Sequence, residues 1–393
     1  MNLQGKETMM SVPRSEHENR VARAREKMRE LDMAGLIVTD PLNFQYFTGQ
    51  PTPAWMKSRA SIFVLPLEGE PAMISWSGPG MFARLYGRDY PSWVDDRRIY
   101  PDVPFTRDER VDWGLRGVLE DRKLTDAKLG IELGRESWLG IPLVDFERLK
   151  EELPHATFVD SGPVVWSCRL IKSEWEIDCL RKACEMGGRA WDRIFNEVKE
   201  GDSLASVQKR ILAYYMEEGA DLNSGPPIVL GATGPNNTFQ RGDVLYLDGG
   251  PGYLGYRMDY TRRGVFGPPS KRQQEEHDGM WEIMFEVIDR MKPGVPVKEL
   301  FDYSQKRLSE RPEWKNYSTH PALRIGHGIG LENEPPSMSG VDDTVLQVGM
   351  VLTPEPKIES VDGLVNPEEQ VVIRPDGAEL LSDSSDYRLR VIG

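Results

Sequence analysis

Val244-Leu245-Tyr246-Leu247-Asp248 runs into the turn cluster Gly249-Gly250-Pro251-Gly252 and returns as Tyr256-Arg257-Met258-Asp259-Tyr260-Thr261. The run before the turn is apolar and bounded by glycine and proline, which reads as a buried strand entering a hairpin. Closed symmetrically about this turn, the hairpin sets Asp248 opposite Asp259. Facing side chains on an antiparallel pair stand about 4.5–5.5 Å apart at their Cβ atoms. Two ionised carboxylates at that separation repel, and burial raises the cost, so either one keeps its proton or a cation lies between them.

Three later stretches supply matching groups. Gly326-His327-Gly328-Ile329-Gly330-Leu331 sets one imidazole among glycines, residues that let backbone come close to a ligand. Val351-Leu352-Thr353-Pro354-Glu355-Pro356 ends an apolar run on a carboxylate, and Pro367-Glu368-Glu369-Gln370-Val371-Val372-Ile373 opens another with an acidic pair. Singly, each has an ordinary structural explanation: a turn aspartate, a satisfied core histidine, a solvated acidic pair. Together, four carboxylates and one imidazole suit two divalent first-row ions such as Mn, Fe, Co or Zn. The chain has three cysteines, Cys168, Cys179 and Cys184, near one helical segment, too few for a thiolate zinc site and an odd number for a disulfide framework. Buried free thiols are expected.

In this order and with these flanks, the residues resemble the metal set of the pita-bread metallopeptidases, the family of methionine aminopeptidase, aminopeptidase P, prolidase and the metal-free creatinase. The resemblance extends from about Glu18 to the C-terminal strands. It implies an α/β N-terminal domain followed by an α+β pita-bread domain built on a curved antiparallel sheet. It further implies that Asp248 holds one metal, that His327 and Glu355 hold the other, and that Asp259 and Glu368 bridge. Glu368 is preferred to Glu369 because the family's first acid in this motif binds metal, and strand alternation turns its neighbour to the opposite face. Glu355 is then also the proton shuttle in hydrolysis of a carbon-nitrogen bond, in most relatives the bond to proline in a short peptide. A homodimer is implied as well, with the stiff apolar loop Pro51-Thr52-Pro53-Ala54-Trp55-Met56 as a candidate contact.

The chain departs from the peptidase pattern at three places. Accessory histidines of the peptidases have no counterpart in Gly231-Ala232-Thr233-Gly234-Pro235-Asn236-Asn237, at Leu323, or in Glu332-Asn333-Glu334-Pro335-Pro336; His17, His155, His277 and His320 fit none of these slots. The Asp-Pro-Leu-Asn run at Asp40–Asn43, the stretch Gly234-Pro235-Asn236-Asn237, the Gly-Leu-x-x-Glu-x-Pro run from Gly330 and Gln370 resemble the family's dimethylsulfoniopropionate lyase. That lyase's extra acidic ligand is absent, since Tyr246 stands in its place. An aromatic cage for a sulfonium or quaternary ammonium ion would draw on tryptophans such as Trp55 and Trp76. Two functions follow: an Xaa-Pro peptidase-like hydrolase, or an enzyme acting on a small osmolyte in the manner of the lyase or creatinase. A binding protein that merely keeps the fold has no need of five ligands.

Composition agrees with a large enzyme. At 393 residues the chain exceeds the usual size of one core, so two domains are expected. The excess of 63 acidic over 49 basic residues, net −14, argues against nucleic-acid and anionic-membrane partners. No apolar run is long enough to span a bilayer, and residues 1–15 read as a polar tail without a signal peptide's apolar centre, so a cytoplasmic protein is expected. Helical periodicity marks Glu16–Leu31, Glu174–Val198 and Gln273–Met291. Strands are expected at Gly35–Thr39, Ala60–Leu65, Pro71–Trp76, Lys128–Glu132 and Thr157–Val159. The domain boundary is placed at Asp160-Ser161-Gly162-Pro163, giving domains of residues 16–162 and 163–393.

Overall fold

The computed structural model describes residues 12–50, 59–76, 92–100, 113–221, 224–382 and 386–393. The loop at 51–56, and Trp55 with it, lies outside the described residues. The chain forms two compact units, Met1–Arg169 and Leu170–Gly393.

The first unit is a mixed six-stranded sheet. From one edge its strands run Asp96–Tyr100, Ala72–Trp76, Ile62–Pro66, Gly35–Val38, Lys128–Ile131 and Thr157–Asp160. Gly35–Val38 pairs antiparallel with Ile62–Pro66 and parallel with Lys128–Ile131. The central strands are buried along their whole length, as expected where helices cover a sheet. Their side chains join Val118, Leu119, Phe146 and Leu149 of the helices in one core. The first helix runs Arg14–Glu30, so Arg14 and Ser15 are helical and the expected polar tail is shorter than fifteen residues. Asp40-Pro41-Leu42-Asn43, read in the sequence as a strand end, starts the helix Pro41–Thr48. The Asp40 carboxylate accepts from the Leu42 and Asn43 amides at 2.9 Å each, with proline in the first turn. Asp96–Tyr100 carries three charged residues and escapes an alternation search, because edge position leaves its polar side chains in water.

Gly162–Arg169 is a helix held within the first unit. Arg23 donates to the carbonyls of Ser167 and Cys168, the Tyr46 hydroxyl donates to Cys168 O, and Arg169 donates to Asn43 Oδ1.

The second unit opens with the helix Glu174–Glu197, whose start is fixed by reciprocal bonds between Ser173 and Glu176. Ile177, Leu180, Cys184, Trp191, Ile194 and Phe195 form its buried stripe. The helices Leu204–Glu217, Lys271–Ile288 and Val297–Ser309 follow the same logic. Two sheets carry the acidic stretches. One orders Arg390–Ile392, Thr261–Phe266, Val244–Asp248 and Ile228–Leu230; the other orders Asn333–Ser337, Gly326–Ile329, Val351–Pro354, Val371–Arg374 and Gly377–Leu380. Pairing is antiparallel throughout both, except between Thr261–Phe266 and Arg390–Ile392. The sheets meet where Thr261 Oγ1 donates to Asn366 O at 2.6 Å and Thr261 N to Glu368 O at 3.3 Å. All three cysteines are buried, and none forms a disulfide.

Candidate metal centre

The hairpin closes about Leu254-Gly255, not about the expected turn cluster. Asp248 pairs with Thr261, and Asp259 lies two residues before that strand. The cause is that the pairing continues inward in the same register: Gly252–Tyr253 pairs with Tyr256–Arg257 around Leu254 and Gly255, whose φ angles are 52° and 91°. A shift by two residues preserves the face, since the side-chain period of a strand is two. Asp259 and Asp248 therefore point the same way although they are not opposed. Asp259 is fixed from behind by its own amide, which donates to Gln370 Oε1 at 2.9 Å.

His327 comes in on the other sheet. Gly326 and Gly328 flank it for a reason different from close approach of a ligand. A Cβ on Gly326 would lie 2.5 Å from Thr353 O, and one on Gly328 would lie 2.1 Å from Pro335 O, so the neighbouring strands themselves demand glycine. The imidazole is almost fully buried. Its Nδ1 lies 2.9 Å from Gly328 O, an acceptor only, so the proton belongs on Nδ1 and Nε2 is left with its lone pair. Nε2 is 3.4 Å from Asp259 Oδ2 and 4.0 Å from Glu355 Oε1.

Glu368 and Glu369 separate as strand alternation requires. Glu369 makes a buried ion pair with Arg262 at 3.0 Å, while Glu368 projects among the other acids. One donor atom each from Asp259, His327 and Glu368 lies within 4.8 Å of the other two. Asp248 and Glu355 border this trio. Asp248 accepts from the Tyr246 hydroxyl at 2.9 Å. Glu355 Oε2 accepts from Lys357 Nζ at 2.6 Å and from Asn366 Nδ2 at 3.4 Å.

The electrostatics follow from burial of like charges. Desolvation, then the Asp248 and Glu355 carboxylates, pushes Asp259 well above the ordinary carboxylate range. Glu368 is raised for the same reasons, with Asp259 its strongest neighbour. Asp248 is raised by burial, against which the Tyr246 hydrogen bond works. Burial lowers His327, with Glu355 opposing. Glu368 Oε2 is buried with no hydrogen-bond partner. An orphaned carboxylate oxygen, two further carboxylates and an imidazole with an outward lone pair are the donor set of a divalent first-row ion. The residues fit such an ion.

Tyr246, Asn366, Arg324 and Lys357 were not among the sequence candidates. Lys357 follows Pro356 just past the end of the strand Val351–Pro354, so alternation does not mark it in the sequence. Arg324, 3.9 Å from Glu355 through Nε, comes from a loop whose path the sequence does not give. At the slots without histidine, Leu323 is 39% exposed and Asn333 Nδ2 lies 3.3 Å from His327 Nε2. Trp76 is half-buried on its strand with the Arg59 guanidinium 5.7 Å from its ring, so a cation of the chain itself already faces it.

An acid-rich, imidazole-bearing centre on two antiparallel sheets, preceded by a separate α/β unit, defines a two-domain metallohydrolase architecture. The chain belongs to metallopeptidase family M24, whose model matches residues 178–375, and it carries a creatinase/prolidase N-terminal domain over residues 20–171. It is similar to an Xaa-Pro dipeptidase of Pyrococcus horikoshii, 31% identical over 260 residues that cover 64% of this chain and 72% of the relative. A second Xaa-Pro dipeptidase, from Pyrococcus furiosus, is 31% identical over the same length, covering 64% and 73%. Among solved structures, the dipeptidase PepE of Mycobacterium ulcerans superposes with a TM-score of 0.78 at 22% identity, covering 98% of this chain and all of that one. The prolidase of Thermococcus sibiricus gives 0.78 at 24% identity, covering 96% and 99%. The fold is thus the expected pita-bread arrangement with its creatinase-like N-terminal domain.

Proposed function

We propose that the chain is a metal-dependent hydrolase cleaving a carbon-nitrogen bond in a small substrate of the Xaa-Pro dipeptide class. The observation that carries this reading is the buried trio Asp259, His327 and Glu368, bordered by Asp248 and Glu355, in a member of family M24. A divalent ion held there (Mn, Fe, Co or Zn) would polarise a scissile carbonyl and lower the pKa of water. We assign Glu355 Oε1 the proton: it takes it from the attacking water and gives it to the leaving nitrogen. Lys357 and Asn366 hold the other oxygen and so fix the carboxylate's orientation. Tyr246 and Gln370 orient Asp248 and Asp259. A homodimer and a cytoplasmic location belong to the same reading. No helix among the described residues is long and apolar enough to cross a membrane.

One observation favours a second substrate class. Leu323 and the segment Glu332-Asn333-Glu334-Pro335-Pro336 stand where the family resemblance puts accessory imidazoles and carry none, and loss of one donor to a developing oxyanion typically costs about 10²–10³ in turnover. That points to a small osmolyte, as in the lyase or creatinase branches. The test is a panel of Xaa-Pro dipeptides beside dimethylsulfoniopropionate, creatine and betaine-type compounds, each assayed with Mn, Fe, Co and Zn. Turnover of the dipeptides alone supports the peptidase reading. Turnover of an osmolyte alone replaces it.

A further inference from the structure

The carboxylates of the centre are not equally in need of a metal. Asp259 and Glu368 have no cation of the chain in an ion pair with them among the described residues, only His327 beside Asp259, and Glu368 Oε2 has no hydrogen-bond partner among those residues. Glu355 is different. Its Oε2 is 2.6 Å from Lys357 Nζ, and its Oε1 is 3.9 Å from Arg324 Nε. The Lys357 side chain is 16% exposed and that of Glu355 7%, so this ion pair is shielded from water while the Arg324 side chain, 43% exposed, reaches in from the surface. A cation supplied by the chain therefore already stands at the carboxylate that the family resemblance gives to a second ion.

We propose that the Lys357 ammonium takes the place of the second metal, so that the centre binds one divalent ion, on Asp259, His327 and Glu368. The inference rests on the metal reading above and refines it. Charge balance agrees: four ionised carboxylates are neutralised by one divalent ion together with Lys357 and Arg324, whereas two ions beside both cations leave an excess of two positive charges in a buried site. Space agrees as well. An ammonium at hydrogen-bond distance from Glu355 Oε2 occupies that oxygen's outward side, and Asn366 Nδ2 covers its remaining lone pair at 3.4 Å. Lys357 lies two residues past Glu355, in the short link between the strands Val351–Pro354 and Ile358–Ser360, which keeps its ammonium beside Glu355. Lys357 is thus a positioning residue that sets the number of ions and holds Glu355.

The test counts Mn²⁺ on metal-stripped full-length protein by equilibrium dialysis, with electron paramagnetic resonance of the bound ion as a second readout. The proposal expects one tight Mn²⁺ per chain in the wild type. Lys357→Met, which keeps the aliphatic stem and removes the charge, should bind two, with a spin-coupled signal. Lys357→Arg should remain at one. Two tight ions in the wild type overturn the proposal without needing any variant, as does a folded Lys357→Met protein that still binds only one. No tight Mn²⁺ in the wild type overturns the metal reading itself, and is distinguished from failure of the refinement by that count.

Discussion

Glu355 and Asp259 separate chemistry from assembly at the level of single atoms. Glu355→Gln keeps the side chain's shape and removes the group that carries the proton, so turnover should fall by about 10²–10⁴ with most of the metal retained. Asp259→Asn removes a charge from the trio and should lose metal as well as activity. Metal content and turnover measured on the same preparations decide between the two roles. A second residue makes a pH prediction remote from the centre. The His277 ring is buried, its Nε2 lies 3.1 Å from Tyr387 O, and its Nδ1 has no partner. Burial, followed by Arg263, lowers its pKa to about 3. A base with a depressed folded pKa contributes stability that is present above its unfolded value of about 6.5 and is lost as pH falls towards 3. His277→Gln should therefore flatten the decline of the melting temperature between pH 6.5 and 4. An unchanged slope would assign acid lability to other groups. The individual ligand types were legible in the sequence because each ends or opens an apolar run. Lys357 and Arg324 were not, since a lysine beside a proline and an arginine in a loop look like ordinary surface residues until a third dimension brings them to Glu355.

At the scale of elements, the strands were easier to read than their pairing. Helix and strand positions followed from periodicity, whereas the two-residue offset between Asp248 and Asp259 depends on a hairpin whose turn is Leu254-Gly255, a pair with no strong turn signature at its first position. Glycine beside His327 was legible as a requirement but for the wrong cause. Because the clash on Gly328 is with backbone, Gly328→Ala should push the strands Gly326–Ile329 and Asn333–Ser337 apart, costing about 1–3 kcal/mol in denaturant unfolding and weakening Mn²⁺ binding together. Loss of neither would show that the bulge between His327 and Gly328 absorbs the methyl. The strand that carries Glu368 depends on the Arg262–Glu369 pair behind it, with side chains 1% and 3% exposed. Arg262→Met leaves a buried carboxylate without its cation and should cost about 3–5 kcal/mol, whereas the double change Arg262→Met with Glu369→Gln should recover much of it. Urea unfolding of the three proteins checks the non-additivity.

For the whole molecule, the two-domain organisation was legible from length, and the acidic balance from composition, but neither points to a substrate. The departure that bears on substrate, the lack of histidine at Leu323 and in the segments Gly231–Asn237 and Glu332–Pro336, is a set of absences whose meaning depends on what else lines the centre. One feature of the second unit reaches beyond equilibrium. The trio is assembled from chain segments far apart in sequence, the Asp259 loop, the strand Gly326–Ile329 and the stretch just before the strand Val371–Arg374, on two sheets joined through Thr261, Arg262 and the Asp259 amide. Contacts of such separation form late, after most loop-closure entropy has been spent. An ion that needs all three donors has nothing to hold until the rate-limiting step of folding is past. Saturating Mn²⁺ should therefore leave the refolding rate nearly unchanged and slow unfolding by the full binding factor, about a hundredfold at one hundred times the dissociation constant. Stopped-flow refolding and unfolding with and without Mn²⁺ measure the split; acceleration of refolding would mean that the donors meet early. The centre, on this account, is a latch that closes last and governs how long the folded chain survives.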